Sequence, residues 1–136
     1  METAGVTRIN DCIISMGSNI EPELNVSSAV AQITHDCEVV GQSTRVWTKP
    51  IGTAVQADFL NGAIRVRTHM TKGQLHDWLR QLELRLGRIR TEDKSGPRTI
   101  DLDIIVWNGQ IVDPDVYRRD FLKQAVNELW PGLLTA

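Results

Sequence analysis

The chain has 136 residues, 41% hydrophobic and 24% charged, and a formal net charge of −2. This size and balance fit one globular domain, so we expect a single domain over residues 1–136. The small net charge excludes broad binding to nucleic acid, which needs a strong basic excess. Because no apolar stretch is long enough to span a bilayer and the first ten residues lack a secretory signal, we expect a cytoplasmic protein without a membrane partner.

Apolar spacing predicts the elements of the first half of the chain. Residues 12–16 form a strand ended by Gly17, and Pro22 opens a helix with an apolar stripe. Residues 37–47 are rich in Val, Thr and Ser and predict a second strand. Residues 59–68 alternate as a third strand. The two cysteines, Cys12 and Cys37, are expected to be buried and reduced.

The second half continues with a strongly marked helix. Thr71 and Gln74 have capping-box spacing, leucines follow at helical intervals, and Gly87 suits the C-terminal end. Residues 88–97 are too polar for a strand and predict a loop. A strand over residues 100–106, a turn and a final helix over about residues 118–129 complete the order.

The order strand, helix, strand, strand, helix, strand, helix is the ferredoxin-like pattern. It predicts an α+β fold: an antiparallel sheet with helices on one face and an open active face.

The strand over residues 100–106 carries two carboxylates, Asp101 and Asp103, inside an aliphatic run. Residues i and i+2 share a face, so Ile100, Leu102, Ile104 and Val106 are expected on one side and both aspartates on the other. Like charges this close repel, and a hard divalent cation would most simply balance them.

The same alternation places Phe59 and Asn61 on the open face. An aromatic ring and an amide beside two carboxylates suit a flat, hydrogen-bonding heterocycle. Each residue alone would more often be packing or surface, so the prediction depends on their being close to the aspartates.

Arginines precede the aspartates: Arg88, Arg90 and Arg98 have the forked donors that match phosphate oxygens. Carboxylates for a metal beside arginines for phosphate favour phosphoryl transfer. The alternative is a surface loop whose arginines pair with nearby acids. Since no GxxxxGK[ST] motif is present, a nucleotide would have to be held by the sheet face and its loops.

Five segments stand in order along residues 11 to 131: SMGSN at 15–19, KPIG at 49–52, DFLN at 58–61, ELRLGR at 83–88 and GPRTIDLD at 96–103. Together they resemble the 6-hydroxymethyl-7,8-dihydropterin pyrophosphokinases of folate biosynthesis. The resemblance implies transfer of pyrophosphate from ATP to the hydroxymethyl group of a dihydropterin, with release of AMP.

The resemblance also implies roles for individual residues. Asp101 and Asp103 match magnesium ligands for two ions and, with the loop arginines Arg88 and Arg98, the catalytic residues. The pterin-binding positions are Thr48, Ile51, Phe59, Asn61 and Phe121. The nucleotide-binding positions are Glu83, Arg88, Arg90, Arg98, Thr99, Ile100 and Arg119.

The chain departs from the family pattern in several places. Residues 112–116 lack the usual Pro-His, Ser95 stands where tryptophan is common, and Lys49 stands where a proline is common. The resemblance also leads us to expect a C-terminal extension, which the sequence up to Ala136 does not include. These departures bear on phosphate contacts and not on the aspartate pair. We therefore retain two alternatives to an active enzyme: a non-catalytic pterin- or nucleotide-binding paralogue, and a ferredoxin-like module binding protein or RNA through its open face.

Overall fold

The computed structural model describes residues 8–51, 55–88 and 99–135. Six strands, three α-helices and two short 3-10 helices follow one another in these ranges. The strands are β1 (Asn10–Ser18), β2 (Glu38–Gln42), β3 (Val46–Thr48), β4 (Phe59–Thr68), β5 (Asp101–Trp107) and β6 (Gln110–Ile111). The α-helices are α1 (Pro22–Asp36), α2 (Lys72–Arg85) and α3 (Asp120–Leu129), and the 3-10 helices span Pro114–Tyr117 and Leu133–Thr135.

All the strands belong to one antiparallel sheet in the order β2-β4-β1-β5-β6, with β3 also paired to β4. The central strand β1 lies between β4 and β5, which carry the predicted polar side chains. With β2 and β3 taken as one interrupted edge strand, this is the predicted ferredoxin-like arrangement. The α+β fold class is confirmed.

The prediction of one strand over residues 37–47 is wrong, because the edge strand breaks at Ser43. The Ser43 hydroxyl accepts a hydrogen bond from the Ala63 backbone N–H at 2.8 Å, while the Ser43 N–H donates to the Ala63 carbonyl. A side-chain oxygen therefore takes the place of a strand carbonyl in the ladder. β2 ends before this residue and β3 begins after it.

Helices α1 and α2 cover the first face of the sheet. Their buried side chains, Val26, Ala29, Ile33, Leu75, Leu79 and Leu82, pack against apolar residues of β1, β4 and β5. The predicted capping box of α2 is present, and Gly87 follows this helix with φ of 96°. Cys12 and Cys37 lie in this core as free thiols, as predicted, and burial raises the pKa of Cys12 to about 12.

Helix α3 covers part of the second face, which we had expected to be open throughout. Leu122, Ala125 and Val126 pack on a smaller core that includes Ile13 and Ala63. The face is apolar here because β1 and β4 carry hydrophobic side chains on both sides at these positions. Among the described residues, none covers the end of this face that holds the aspartates, where a cleft opens.

A β-bulge in β5 also overturns the predicted position of Val106. Ile13 pairs with Val106 but its neighbour Ile14 pairs with Ile104, so Ile105 is an extra residue. Val106 therefore lies in the second-face core, opposite Ile104 and Leu102. The bulge comes after the aspartates and leaves their alternation unchanged.

Helix α3 begins at Asp120, two residues later than predicted. Pro114–Tyr117 forms a separate 3-10 turn, capped by the Asp113 carboxylate, which accepts a hydrogen bond from the Asp115 N–H at 2.9 Å. This turn brings the start of α3 to the uncovered end of the sheet.

Candidate active site

A row of three residues crosses the centre of the sheet on its second face. Gly17 of β1 pairs with Asn61 of β4 on one side and with Asp101 of β5 on the other. Because paired residues of adjacent strands share a face, the Asn61 amide and the Asp101 carboxylate flank Gly17. Asp103 lies in the next row, paired with Ser15.

Gly17 provides the space for this arrangement. A β-carbon at residue 17 would lie 3.0 Å from the Asn61 Oδ1 atom, which is closer than most real β-carbons approach other atoms, so the amide would have to shift slightly. Asn61 is buried, and its Nδ2 donates to the Thr48 Oγ1 at 2.6 Å. The amide is thus held from β3 and lies over a strand position that has no side chain.

A cleft of about 440 Å³ opens above this row, and we call it the first cleft. Its lining residues come from four strands, the loop after β3, the 3-10 turn with its flanking residues, and α3: Ser15, Met16, Gly17, Thr48, Lys49, Ile51, Phe59, Asn61, Asp101, Asp103, Asp113, Asp115, Arg119, Phe121 and Leu122. All five predicted pterin-binding residues line it, together with Arg119 and both aspartates. The structure therefore brings these side chains together, and their roles stay predictions.

The wall formed by α3 contributes an aromatic ring and a cation. The Arg119 guanidinium carbon lies 5.5 Å from the centre of the Phe121 ring, within the range of a cation–π contact. Phe59 faces the same cleft from β4. The first cleft therefore offers two aromatic rings, a buried amide and a hydroxyl, which suit a flat polar ring.

The carboxylate pair, Asp101 and Asp103, is held by two arginines. The Arg88 Nη1 donates to the Asp101 Oδ1 at 2.7 Å, and the Arg80 Nη2 donates to the Asp103 Oδ1 at 3.0 Å. Guanidinium groups thus supply part of the positive charge for which the sequence suggested a cation. Repulsion between the aspartates is not by itself proof of a metal.

Glu83 connects these two arginines beneath β5. Its side chain is only 2% exposed, and its Oε2 lies 2.8 Å from Arg80 and 3.6 Å from Arg88. The same oxygen accepts a hydrogen bond from the Leu102 N–H at 2.8 Å. Among the described residues, three carboxylates and two guanidinium groups therefore form one connected network.

Asp103 is the member of this network whose titration is most altered. Burial and the Asp101 carboxylate raise the pKa of Asp103 to about 6, although Arg80 opposes the shift. A cation bound beside Asp103 would favour its charged form in the same way as Arg80 does.

The carboxylate pair fits a hard divalent ion that is completed by substrate oxygens. Mg²⁺ commonly takes one or two carboxylates and fills its other positions with water and phosphate. In the described ranges, no cluster of three or more His, Cys, Asp and Glu side chains forms a complete cage. Among those same residues, none donates a hydrogen bond to the Asp103 Oδ2.

A second cleft of about 620 Å³ lies on the other side of Asp103. It lies between the start of α2, β5 and the segment before the 3-10 turn, and it is lined by Lys72, Gly73, His76, Asp77, Arg80, Asp103, Ile104, Val112, Asp113 and Pro114. Asp103 and Asp113 line both clefts, so the two openings meet at Asp103, whereas Asp101 lines the first cleft alone.

The structure does not bring every predicted nucleotide-binding side chain into a cleft. Glu83 and Ile100 are buried beneath β5, because they face the core side of α2 and of the sheet. Arg88 is 10% exposed and bonds to Asp101 and the Ile100 carbonyl, and the Thr99 carbonyl accepts from Ser18. Arg90 and Arg98 lie outside the described residues.

Several residues of the site were missed from the sequence. Gly17 was interpreted as a strand end, whereas it lies inside β1 at the centre of the row. Arg80 has one sequence signal, its spacing of three residues from Glu83 on a helix. Asp113 and Asp115 had none, because only the 3-10 turn brings them over the sheet.

Fold and site together define a class: single-sheet α+β proteins with a carboxylate pair on one face of the sheet and a cleft on each side of its second aspartate. The family model for 7,8-dihydro-6-hydroxymethylpterin-pyrophosphokinase (HPPK) matches residues 13–131. This chain belongs to that family.

Individual relatives agree with this assignment. A 2-amino-4-hydroxy-6-hydroxymethyldihydropteridine pyrophosphokinase of Bacillus subtilis is 34% identical over 88% of this chain and 78% of its own length. A protein of the same name from Methylorubrum extorquens is 31% identical over 89% of this chain and 83% of its own. The Dictyostelium discoideum folic acid synthesis protein FOL1 is 27% identical over 92% of this chain, which spans only 20% of that protein. In the described part of the chain, no helix is both long and apolar enough to cross a membrane.

Proposed function

We propose that the two clefts and the carboxylate pair are the place where this chain carries out its family's reaction. The chain is a pyrophosphokinase: family membership and the names of its relatives indicate transfer of a pyrophosphoryl group from ATP to 6-hydroxymethyl-7,8-dihydropterin in folate biosynthesis. The row of Asn61, Gly17 and Asp101 supports this location best. It places an amide that would hydrogen-bond a heterocycle beside a carboxylate that would lie next to the phosphates.

The first cleft is the proposed pterin site. Asn61, oriented by Thr48, would hydrogen-bond the edge of the ring, while Phe59 and Phe121 would pack on its faces. Ile51 would cover the ring from the loop after β3. The hydroxymethyl group would then point along the row toward Asp101.

The second cleft is the proposed nucleotide site. It opens on the far side of Asp103, so a triphosphate lying across the carboxylate pair would bring its β-phosphorus to the hydroxymethyl oxygen. Arg119 lines the first cleft and could neutralise phosphate there, with Arg88 beside Asp101. Glu83, Thr99 and Ile100 would act indirectly, by holding β5 and the residues just before it in place.

Asp101 and Asp103 are the proposed magnesium ligands, and the family resemblance implies two ions. When bound, Mg²⁺ would neutralise phosphate charge and make the β-phosphorus more electrophilic. The hydroxymethyl oxygen would form a bond to that phosphorus while the bond from phosphorus to the oxygen bridging the α- and β-phosphates breaks. AMP would leave with the electron pair of that bond, and the hydroxyl proton would pass to a phosphate oxygen or to water. We assign no general base, so the site would act mainly by position and charge neutralisation.

Nothing in the structure or the comparisons favours a non-catalytic paralogue. A protein- or RNA-binding module is also a poor match, since α3 covers part of the face that such a partner would need and acids occupy the rest. A cytoplasmic location remains a prediction from the sequence.

The test is an assay with ATP, Mg²⁺ and the hydroxymethyl-dihydropterin that follows AMP release. Wild-type protein should form AMP only when the pterin is present. We expect Asp101→Asn to lower kcat by at least about 10³-fold, because it removes a metal ligand and leaves a neutral group of the same shape. Pterin binding by this variant, followed by fluorescence, should be retained.

Two outcomes would contradict the proposal. AMP formation that does not depend on the pterin would exclude the proposed acceptor. Turnover of Asp101→Asn near the wild-type rate would remove the carboxylate pair from the reaction centre.

A further inference from the structure

Arg80 makes three contacts that together link helix α2, strand β5 and Asp103. Its Nη1 donates to the Leu102 carbonyl at 2.9 Å and lies 2.8 Å from the Glu83 carboxylate. Its Nη2 donates to the Asp103 Oδ1 at 3.0 Å. One planar group thus joins helix α2, the backbone of β5 and one member of the carboxylate pair.

The base of this contact is rigid. Arg80 projects from the middle of α2, whose start is fixed by the capping box and whose apolar side is fully buried. Glu83, one turn away on the same helix, is buried and bonds to the Leu102 N–H. The guanidinium group is therefore held by acceptors that have little freedom of their own.

Asp103 has more need of such support than a core residue. Its side chain is 40% exposed at the boundary of the two clefts. The hydrogen bond from Arg80 to its Oδ1 restricts this side chain from the α2 side, and no described residue donates a hydrogen bond to its Oδ2. An aspartate without this contact would lose side-chain entropy each time it bound a ligand.

We infer that Arg80 is a positioning residue, which holds the Asp103 carboxylate in the orientation required for a divalent metal. The inference rests on the proposed function, because it takes the carboxylate pair as the metal site. Arg80 does not contact the metal itself: its positive charge and its donors are used on the Oδ1 side. Groups that orient metal ligands in this way typically change metal affinity or activity by about 10–100-fold when they are replaced.

A purely structural role for the Arg80 salt bridges would have different consequences. If Arg80 only tied α2 to β5, its replacement would lower the free energy of unfolding and leave the metal affinity of the folded protein unchanged. Arg80→Lys separates these two roles. Lysine keeps the positive charge, but a compact ammonium group lacks the planar fork that reaches all three acceptors.

The experiment measures the affinity of the protein for Mn²⁺, a paramagnetic substitute for Mg²⁺, by electron paramagnetic resonance. An ATP analogue with a methylene group between its α- and β-phosphates is present. We expect Arg80→Lys to weaken Mn²⁺ binding by about tenfold or more and to lower kcat similarly, with the KM for the pterin within about twofold of wild type. Arg80→Met, which removes charge and donors, should act in the same direction and serves if the lysine variant does not fold.

Arg85→Lys is the matched control, because Arg85 is exposed in the last turn of the same helix and lines neither cleft. It should leave Mn²⁺ affinity and turnover unchanged. A folded Arg80 variant with wild-type Mn²⁺ affinity would overturn the inference. That result differs from failure of the proposed function, in which the wild-type protein itself would release no AMP.

Discussion

At the scale of single residues, the site depends on a missing side chain. Gly17 lies between the Asn61 amide and the Asp101 carboxylate, and a β-carbon there would approach the Asn61 Oδ1 to 3.0 Å. The amide would have to move, because Thr48 holds its other end. Glycine is therefore required here for close packing of a functional group and not for an unusual backbone angle.

We expect Gly17→Ala to weaken pterin binding by about tenfold, the equivalent of one displaced hydrogen bond, with a change in unfolding free energy below about 1.5 kcal/mol. Pterin affinity is measured by fluorescence titration, and stability by urea denaturation.

Gly41→Ala is the control for this prediction, because Gly41 is also a strand glycine and an added methyl there meets only the Leu129 side chain at 3.5 Å. It should leave pterin affinity unchanged. Equal affinities for Gly17→Ala and wild type would show that the Asn61 amide does not bind the ring.

At the scale of elements, helix α3 is what completes the first cleft. It carries Phe121 and is preceded by Arg119, and it is fastened at its far end by Arg65 of β4. Arg65 donates to both oxygens of Asp11 at 2.9 Å and to the Leu129 carbonyl at 2.9 Å, and its guanidinium carbon lies 3.6 Å from the centre of the Trp130 ring. A contact at one end of α3 thus supports residues at the other.

Arg65→Met should lower the free energy of unfolding by about 2–3 kcal/mol, since the Arg65 side chain is 17% exposed and its loss leaves a half-buried Asp11 with one weaker partner, Arg67. Urea denaturation measures the loss. The KM for the pterin should also rise, because α3 is less firmly seated.

Arg67→Met is the control, because Arg67 is 46% exposed and makes only ion pairs of 3.5 and 3.7 Å. Its effect should stay below about 1 kcal/mol, as for other surface ion pairs. Similar losses for the two variants would mean that Arg65 does not fasten the helix.

At the scale of the whole molecule, the site affects stability as well as reactivity. Asp103 has a raised pKa of about 6 in the folded protein, because burial and Asp101 disfavour its charge. An unfolded chain ionises this group near the ordinary value of 3.8. The folded state therefore holds its proton to higher pH, so the stability contributed by Asp103 is present at low pH and is lost as the pH rises from about 4 to about 6.

We expect the stability of Asp103→Asn relative to wild type to increase between pH 4 and pH 7 in metal-free buffer, since the variant has no carboxyl group to ionise. Thermal unfolding at several pH values measures this difference. Glu23→Gln, on an exposed carboxylate in the first turn of α1, is the control for loss of an acidic group. A difference between Asp103→Asn and wild type that stays constant with pH would contradict the prediction.

Local patterns determined much of this protein. Period-two alternation predicted β4 and the shared face of Phe59, Asn61 and the aspartates, and helical spacing with a capping box predicted α2. These features depend on neighbours in the chain, which the sequence shows directly. The same is true of the family motifs, each confined to a few consecutive residues.

Tertiary structure alone decided how the site is completed. Ser43 breaks the edge strand by bonding to Ala63, the bulge at Ile105 moves Val106 to the other face, and α3 covers part of a face expected to be open. Arg80 reaches Asp103 across 23 residues of sequence. Such contacts depend on which elements pack together, so a local sequence pattern cannot show them. The alternation that puts both aspartates on one face is different, because it is present in the sequence itself.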